Sequence, residues 1–335
     1  MFKIKVDVII SFLLCSAVMF SNVKFFNETS ISYIFTISSI LFSFLICKKS
    51  DFKYLFIIAM LILISTIINF FSYTVIVLYV YKLLSIFPVI VLARHGNIIH
   101  IYKGALFGFL SSTILAILLI VLGYSYHKFI IYMGVIPRFA ALAIEPVSFA
   151  LAGLVIFFLY LFAHKKQSKG YSLMYYFPMI VSVSSVTILK ILVDAFRALN
   201  LKKILFFVML AVFVFIFTRA SDSIEMRLFL YGNILKDMPL IFFGSGFYQV
   251  TESAGLPGIL RIYYELGFVF LLWISMLFLY RIINQKLILN PFLMIGMVIP
   301  LIIEAYGAPF YWIIPMLVIF RTRKELLNRS RDDRY

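Results

Sequence analysis

Three arginines in two polar segments are the residues of this sequence best suited to binding an anionic substrate. Arg138 lies in PRFAALAIEP, and Arg219 and Arg227 begin the long polar stretch 219–267. A guanidinium group forms paired hydrogen bonds to phosphate oxygens through its planar fork. Arg138 opposite Arg227 would therefore clamp a pyrophosphate; the alternative is that Arg138 is an interfacial anchor.

Further polar groups accompany these arginines. Glu145 follows Arg138 by seven residues, so the two would share one face if the segment were helical. Gly244 and Gly246 in FFGSGF allow a tight turn with open backbone amides, which is a possible anion-binding geometry. The remaining candidate substrate-binding residues of the polar stretch are Tyr248 and Arg261.

A second group of charges lies inside an apolar stretch. Lys190, Asp194 and Arg197 in ILKILVDAFRALN are spaced four and three apart, so they meet on one helix face. Charges within a membrane span are costly and usually face the bundle interior or pair. Two interpretations remain open: Lys190 and Arg197 line a site for a lipid-linked phosphate, or Lys190 pairs with Asp194 and Arg197 is interfacial.

The first half of the long polar stretch predicts an amphipathic helix. Asp222 and Glu225 resemble a helix N-cap with a returning acid, and Pro239 ends the pattern. One face is apolar and comprises Ile224, Leu228, Tyr231, Leu235 and Met238. Such a helix would lie flat on the membrane surface, either as a cover or as a lid that presents Arg227 to an anionic headgroup.

The elements that must position these residues are membrane spans. Hydrophobic residues make up 64% of the 335 and charged residues only 13%, against about 25% in soluble domains. The apolar residues come in long runs, whereas a strand barrel would alternate over ten-residue segments. The composition predicts an all-α polytopic membrane protein.

The net charge of +16 does not indicate nucleic-acid binding, because Lys and Arg occur in short clusters between apolar runs. No cluster of His, Cys or acidic residues predicts a metal site. His95, His100 and His164 fall on the expected cytoplasmic side, where loop or headgroup contacts are expected.

The apolar runs predict about twelve spans in a single integral membrane domain, 1–335. They lie near 6–20, 31–47, 54–70, 73–92, 104–123, 147–163, 204–217, 262–280, 287–304 and 309–320, with two more within 171–200. Segment 171–200 is either one span with an amphipathic tail or two short helices that turn around 182–185. The basic tail after 320 favours two, since both termini are then cytoplasmic. The loops 124–146 and 218–261 then face the opposite side and form the candidate active site.

At these residues the sequence resembles the O-antigen polymerase and ligase superfamily of bacterial envelope glycan enzymes. Arg138…Glu145-Pro146 is similar to that family's "R…EP" approach to a span. Arg227 followed by PLIFFGSGF is similar to its arginine and glycine-rich segment, and YYELGFVFLLW to its "ExGxxG" return into the membrane.

The resemblance implies a metal-independent, cofactor-free, inverting glycosyltransferase with a C-type membrane fold. It would act on undecaprenyl-pyrophosphate-linked oligosaccharides at the periplasmic face of the inner membrane, with a chain-length regulator protein as a possible partner. Arg138 and Arg227, with Arg219, would bind pyrophosphate and stabilise the leaving group. Glu145 would orient Arg138 or activate the acceptor hydroxyl.

One departure from the family pattern favours a polymerase. Ligases of the superfamily carry a histidine about nine residues before the acid of "ExG", whereas this chain has Leu256-Pro257-Gly258 there and no histidine in the loop. A ligase and a flippase or transporter remain as alternatives, although a transporter should show internal repeats and a midplane site.

Overall fold

The computed structural model of the protein describes residues 5–24, 30–68, 73–124, 129–133, 136–143, 146–164, 176–182, 258–284, 308–321 and 326. Helices account for most of these residues. Those described are α1 (Val6–Met19), α2 (Ser32–Ser43), α3 (Lys49–Ile68), α4 (Tyr73–His95), α5 (Ile98–Val121), α6 (Pro146–Ala163), α7 (Tyr176–Val181), α8 (Gly258–Asn284) and α9 (Ile313–Phe320). Strands β1 (Ile130–Met133) and β2 (Ile136–Phe139) form an antiparallel hairpin, and a 3-10 turn at Pro309–Trp312 precedes α9.

Two of the described helices are long and apolar enough to cross a membrane, namely α5 and α6. Helix α6 is buried on nearly all sides, whereas α5 exposes large apolar side chains along one face. These exposed side chains are Phe107, Leu110, Ile114, Leu115, Ile117, Leu118 and Val121. An apolar face of this length is what a lipid-facing helix presents.

The predicted number of twelve spans stays a prediction. Helix α2 has 12 residues, or about 18 Å of helix, which is shorter than a hydrocarbon core of about 30 Å. The predicted spans near 204–217 and 287–304 lie outside the described residues. Of segment 171–200, the structure describes α7 and a turn at Ser182, where the two-span interpretation predicts a break.

Helix α1 is central to the described bundle and packs closely against α5. A Cβ atom on Gly104 would lie 2.0 Å from Ser11 Oγ and 2.2 Å from the carbonyl oxygen of Val8. A Cβ atom on Gly108, one turn further, would lie 2.9 Å from the carbonyl oxygen of Phe12. Small residues four apart allow two helix backbones to approach closely; the two glycines therefore set the distance between α1 and α5.

Aromatic packing joins α5, α6 and the hairpin in one core. Phe149 of α6 is fully buried and stacks on Phe109 of α5, with ring centroids 5.0 Å apart. Phe139 of β2 meets Phe149 edge to face at 5.4 Å. Tyr311 of the 3-10 turn donates a hydrogen bond to the carbonyl oxygen of Ser148 at 3.0 Å, which joins this turn to the start of α6.

Polar side chains connect several helix termini at one end of the bundle, which we call the charged end: Asp7, Asp51, Arg94, His95, His100 and Arg321. Asp7 Oδ2 at the start of α1 accepts from the backbone N–H of Asn97, just before α5, at 2.9 Å. Arg321, just after α9, donates to the carbonyl oxygens of Ala93 and Gly96 at 2.7 and 2.8 Å. The start of α1 and the end of α9 therefore lie at the same end, as two cytoplasmic termini would require. Which side of a membrane this end faces stays a prediction.

The close contact between α1 and α5 predicts a graded response to added methyl groups. Gly104→Ala should lower the free energy of unfolding by about 1–3 kcal/mol, because overpacking forces the helices apart, and Gly108→Ala should lower it less. Thermal unfolding of the detergent-solubilised variants measures their order of stability. Leu110→Ala on the exposed face of α5 is the control; a Gly104→Ala protein as stable as this control would contradict the contact.

Candidate functional site

Arg138 lies on a β-hairpin within segment 124–146, which the sequence predicts as a loop between two spans. Arg138 pairs with Ile131 across the two antiparallel strands. The strands read IIYM and IPRF, rich in the β-branched and aromatic residues that favour extended backbone. The hypothesis that Arg138 and Glu145 share a helix face is wrong for Arg138, because strand side chains alternate between faces.

Backbone hydrogen bonds attach the hairpin to the rest of the bundle. The N–H of Ala140 donates to the carbonyl oxygen of Phe129 at 2.8 Å, which closes the base of the hairpin. The N–H of Asn22, just after α1, donates to the carbonyl oxygen of Leu142 at 3.0 Å. Ala141 adopts a left-handed conformation with φ of 52°, and residues 140–143 are all buried. The segment after β2 is therefore a packed turn.

The side chain of Arg138 is oriented by a tertiary contact. Its Nε–H donates to the carbonyl oxygen of Ser182 at 2.9 Å. Ser182 is buried and follows the last residue of α7, whereas Arg138 is partly exposed. A helix C-terminus presents unpaired carbonyls and a partial negative charge, which favour a cation. The contact holds the Nε side of the guanidinium group against the end of α7.

Helix α1 separates Arg138 from the charged end. Asp7 at its start belongs to the charged end, and Asn22 beyond its last residue contacts the turn that follows β2. The helix has 14 residues, or about 21 Å of length. The hairpin and Arg138 therefore lie at the opposite end of the bundle, which we call the hairpin end.

Most other predicted site residues lie outside the described residues. These are Glu145, Lys190, Arg197, Arg219, Arg227, Gly244, Gly246 and Tyr248, together with the amphipathic helix predicted between Asp222 and Pro239. The structure places Arg261 on the first part of α8. The pyrophosphate clamp stays a prediction, because Arg219 and Arg227 lie outside the described residues.

Helix α8 breaks at Gly267, the glycine of the YYELG motif. The helix begins at Gly258, so the last residues of the polar stretch 219–267 are helical. Gly267 has φ of 84° and ψ of 173°, a region of backbone conformation that is essentially restricted to glycine. The break separates a segment that carries Arg261 and Glu265 from the apolar segment that follows.

The conformation of Gly267 makes a specific prediction about stability. Gly267→Ala should lower the free energy of unfolding by about 1–3 kcal/mol, because alanine does not tolerate this backbone conformation without strain. Gly258→Ala in the first residue of the same helix is the matched control, and should be close to neutral. Thermal unfolding of the two variants side by side is the measurement; equal midpoints would mean that the break is not a property of the native protein.

The structure also shows a cluster of charges at the charged end that the sequence analysis did not identify. Asp51 is fully buried and forms an ion pair with Arg94. Its Oδ2 lies 3.0 Å from His95 Nε2 and accepts from the backbone N–H of Lys48 at 2.6 Å. The Arg94 guanidinium group in turn lies 5.0 Å from the ring centroid of Tyr54. The cluster joins the start of α3 to the end of α4.

A contact between a carboxylate and a histidine also joins α1 to α5. Asp7 Oδ2 lies 2.9 Å from His100 Nδ1. His95 and His100 thus contact buried or half-buried carboxylates of the bundle itself, and the expectation of simple loop or headgroup contacts for them is wrong. No sequence pattern indicates these pairs, because the partners are 44 and 93 residues apart.

The chemistry available at the charged end is ion pairing. Within the described part of the chain, no group of three or more His, Cys, Asp or Glu side chains is placed to hold a metal ion. Asp51 pairs with Arg94, contacts His95 and accepts from the backbone N–H of Lys48, so both of its oxygens have partners. We interpret this cluster as a structural connection between helices.

Removal of Asp51 should destabilise the protein strongly. Asp51→Ala leaves Arg94 without its buried carboxylate, and loss of one partner of a buried ion pair costs about 3–5 kcal/mol. Asp7→Ala removes a more exposed acid at the same end and should have a smaller effect. Thermal unfolding in detergent compares the two, and an Asp51→Ala midpoint at or above that of Asp7→Ala would contradict a structural role for the cluster.

Comparison with known proteins adds no assignment, since no family model, curated protein or solved structure matches this chain.

Proposed function

We propose that this protein is a polymerase of undecaprenyl-pyrophosphate-linked oligosaccharide repeat units in the synthesis of O-antigen or a related surface polysaccharide. It would be a multi-pass protein of the bacterial inner membrane with both termini in the cytoplasm. The observation that supports this most directly is the position of Arg138. A permanently charged side chain is oriented at the hairpin end, away from the ion pairs of the charged end.

The proposed reaction is an inverting glycosyl transfer. The acceptor hydroxyl oxygen of a new lipid-linked repeat unit attacks the anomeric carbon of the growing chain. A glycosidic C–O bond forms, the bond from the anomeric carbon to the pyrophosphate oxygen breaks, and undecaprenyl pyrophosphate leaves with the bonding electrons. The hydroxyl proton passes to a base.

Arginines suit this reaction because negative charge develops on the leaving pyrophosphate. Preorganised cations at that position stabilise the transition state more than the ground state. Arg138 supplies one such cation, and its contact with Ser182 removes part of the cost of ordering the side chain. Arg227 and Arg219 supply the others in this proposal, and Glu145 orients Arg138 or accepts the proton.

The other candidate residues would bind the remainder of the substrate. Gly244 and Gly246 would offer backbone amides to phosphate oxygens, and Tyr248 and Arg261 would contact the glycan or its phosphate. Lys190 and Arg197 would line the path of the lipid-linked phosphate. The mechanism needs neither a metal ion nor a cofactor.

Substitution of the proposed clamp residues tests the function. Arg138→Ala or Arg227→Ala should abolish long surface glycan chains, because loss of one stabilising donor reduces the rate by about 100-fold or more. Single-repeat capping should remain, since ligation does not need a polymerase. Gel analysis of surface glycans in a deletion strain complemented with each variant is the measurement, with protein amounts in the membrane compared by immunoblot.

Two comparisons make the result specific. Arg138→Lys keeps the charge and removes the guanidinium fork, so it should restore at most a small part of the ladder. Lys103→Gln, an exposed cation at the charged end, should leave the ladder unchanged. A full ladder from both alanine variants would refute the clamp, and loss of single-repeat capping in the deletion strain would indicate a ligase or a flippase.

A further inference from the structure

One face of α3 combines cationic and apolar side chains in an ordered way. Lys49, Lys53, Phe56, Met60, Leu63 and Ile67 follow one another at alternating intervals of four and three residues. This spacing places them along one helix face. All six are exposed, and we call this face the α3 stripe.

The two ends of the α3 stripe differ in chemistry. Its lysines lie in the first turns of α3, at the charged end of the bundle, and the remaining members are large apolar side chains. From Phe56 to Ile67 the apolar part covers 11 steps of the helix, or about 16 Å. This length matches the hydrocarbon half of a bilayer, about 15 Å.

Further exposed lysine and aromatic side chains lie next to the lysine end of the α3 stripe. Lys48 is exposed beside Lys49, and Phe44 and Phe52 are exposed and stacked, with ring centroids 6.2 Å apart. Exposed aromatic rings next to lysines are typical of the membrane interface. The corner between α2 and α3 therefore presents rings at the level of the lysines.

Within residues 44–56, all of which the structure describes, no exposed acid accompanies the lysines. Asp51 is the single acid between Phe44 and Phe56, and it is fully buried against Arg94 and His95. Lys53 Nζ lies 5.1 Å from the ring centroid of Tyr54, a contact that leaves its charge in place. Asp51 is thus paired inside the bundle, and the lysine charges stay at its surface.

We propose that the α3 stripe is a binding site for an anionic phospholipid, whose phosphate contacts Lys48, Lys49 and Lys53 and whose acyl chains lie along Phe56, Met60, Leu63 and Ile67. The lysine charges favour an anionic headgroup. The apolar part of the stripe is long enough to pack along an acyl chain, which favours a lipid over a soluble phosphate. The inference rests on the membrane placement in the proposed function, and it does not depend on glycan transfer.

Native mass spectrometry of the full chain tests the proposal. The protein, extracted from nanodiscs of mixed phosphatidylcholine and phosphatidylglycerol, should retain phosphatidylglycerol preferentially. Each lysine near an anionic headgroup contributes about a fivefold preference. Lys49→Gln combined with Lys53→Gln should therefore reduce the preference for phosphatidylglycerol about 25-fold.

A matched variant separates a site from a general charge effect. Lys5→Gln combined with Lys103→Gln removes the same charge from two exposed positions at this end, one just before α1 and one on α5, and should leave the preference nearly unchanged. An equal loss in both double variants, or no loss in the α3 variant, overturns the proposal.

The apolar half of the site is tested without any change of charge. Met60→Ala combined with Leu63→Ala should reduce the retention of phosphatidylglycerol several-fold, while soluble glycerol phosphate should not compete with the lipid in wild-type protein. Competition by glycerol phosphate at lipid concentrations would overturn the proposal, because the lysines alone would then bind the ligand.

The surface glycan ladder distinguishes this inference from the proposed function. A strain with the Lys49→Gln, Lys53→Gln protein should retain its glycan chains, because these lysines lie at the end of the bundle opposite Arg138. A full ladder from both Arg138→Ala and Arg227→Ala would refute the polymerase clamp and leave the lipid preference standing.

Discussion

The described fold depends on the close approach of α1 and α5. Gly104 and Gly108 have no side chains where α5 meets the backbone of α1, so Ser11 Oγ and the carbonyl oxygen of Val8 occupy the space that a Cβ atom would fill. In lipid the hydrophobic effect does not drive helices together, so close van der Waals packing is a main source of helix association. Helix α1 is thereby fixed, and its two ends connect to the two polar regions of the protein.

These two regions differ in how their charges are used. At the charged end, Asp51 forms an ion pair with Arg94, and His95 and His100 contact Asp51 and Asp7 within the bundle. At the hairpin end, Arg138 contacts a backbone carbonyl, which carries only a partial charge. The charged end therefore uses its side chains to join helices, whereas at the hairpin end the carbonyl oxygen of Ser182 orients the guanidinium group of Arg138.

The sequence predicts most of the described helices and few of the tertiary contacts, for physical reasons. The apolar runs place α1, α4 and α6 within three residues of their observed bounds, because a membrane span must be apolar over its whole length. Helices α3 and α5 begin five and six residues before the predicted spans, because lysines in their first two turns interrupt the apolar run. The hairpin was missed because Pro137 and the alanines after Arg138 resemble a short helical segment, while the pairing of Ile131 with Arg138 depends on the strand opposite. Burial of Asp51 was not predictable, since it requires Arg94 to lie beside it 43 residues later.

The YYELG motif shows what a motif alone leaves undetermined. It predicts a return into an apolar run, but the backbone break at Gly267 with φ of 84° is a property of the fold. The position of Arg138 is likewise a property of the fold. Its spacing from Glu145 suggested a shared helix face, but Arg138 lies on a strand, and its contact with Ser182 orients the guanidinium group. A cation that is oriented by its scaffold needs little reorganisation when an anion binds, and preorganisation of this kind is where charge stabilisation in catalysis is strongest. The fixed position of Arg138 is therefore a stronger argument for anion binding than its spacing in the sequence.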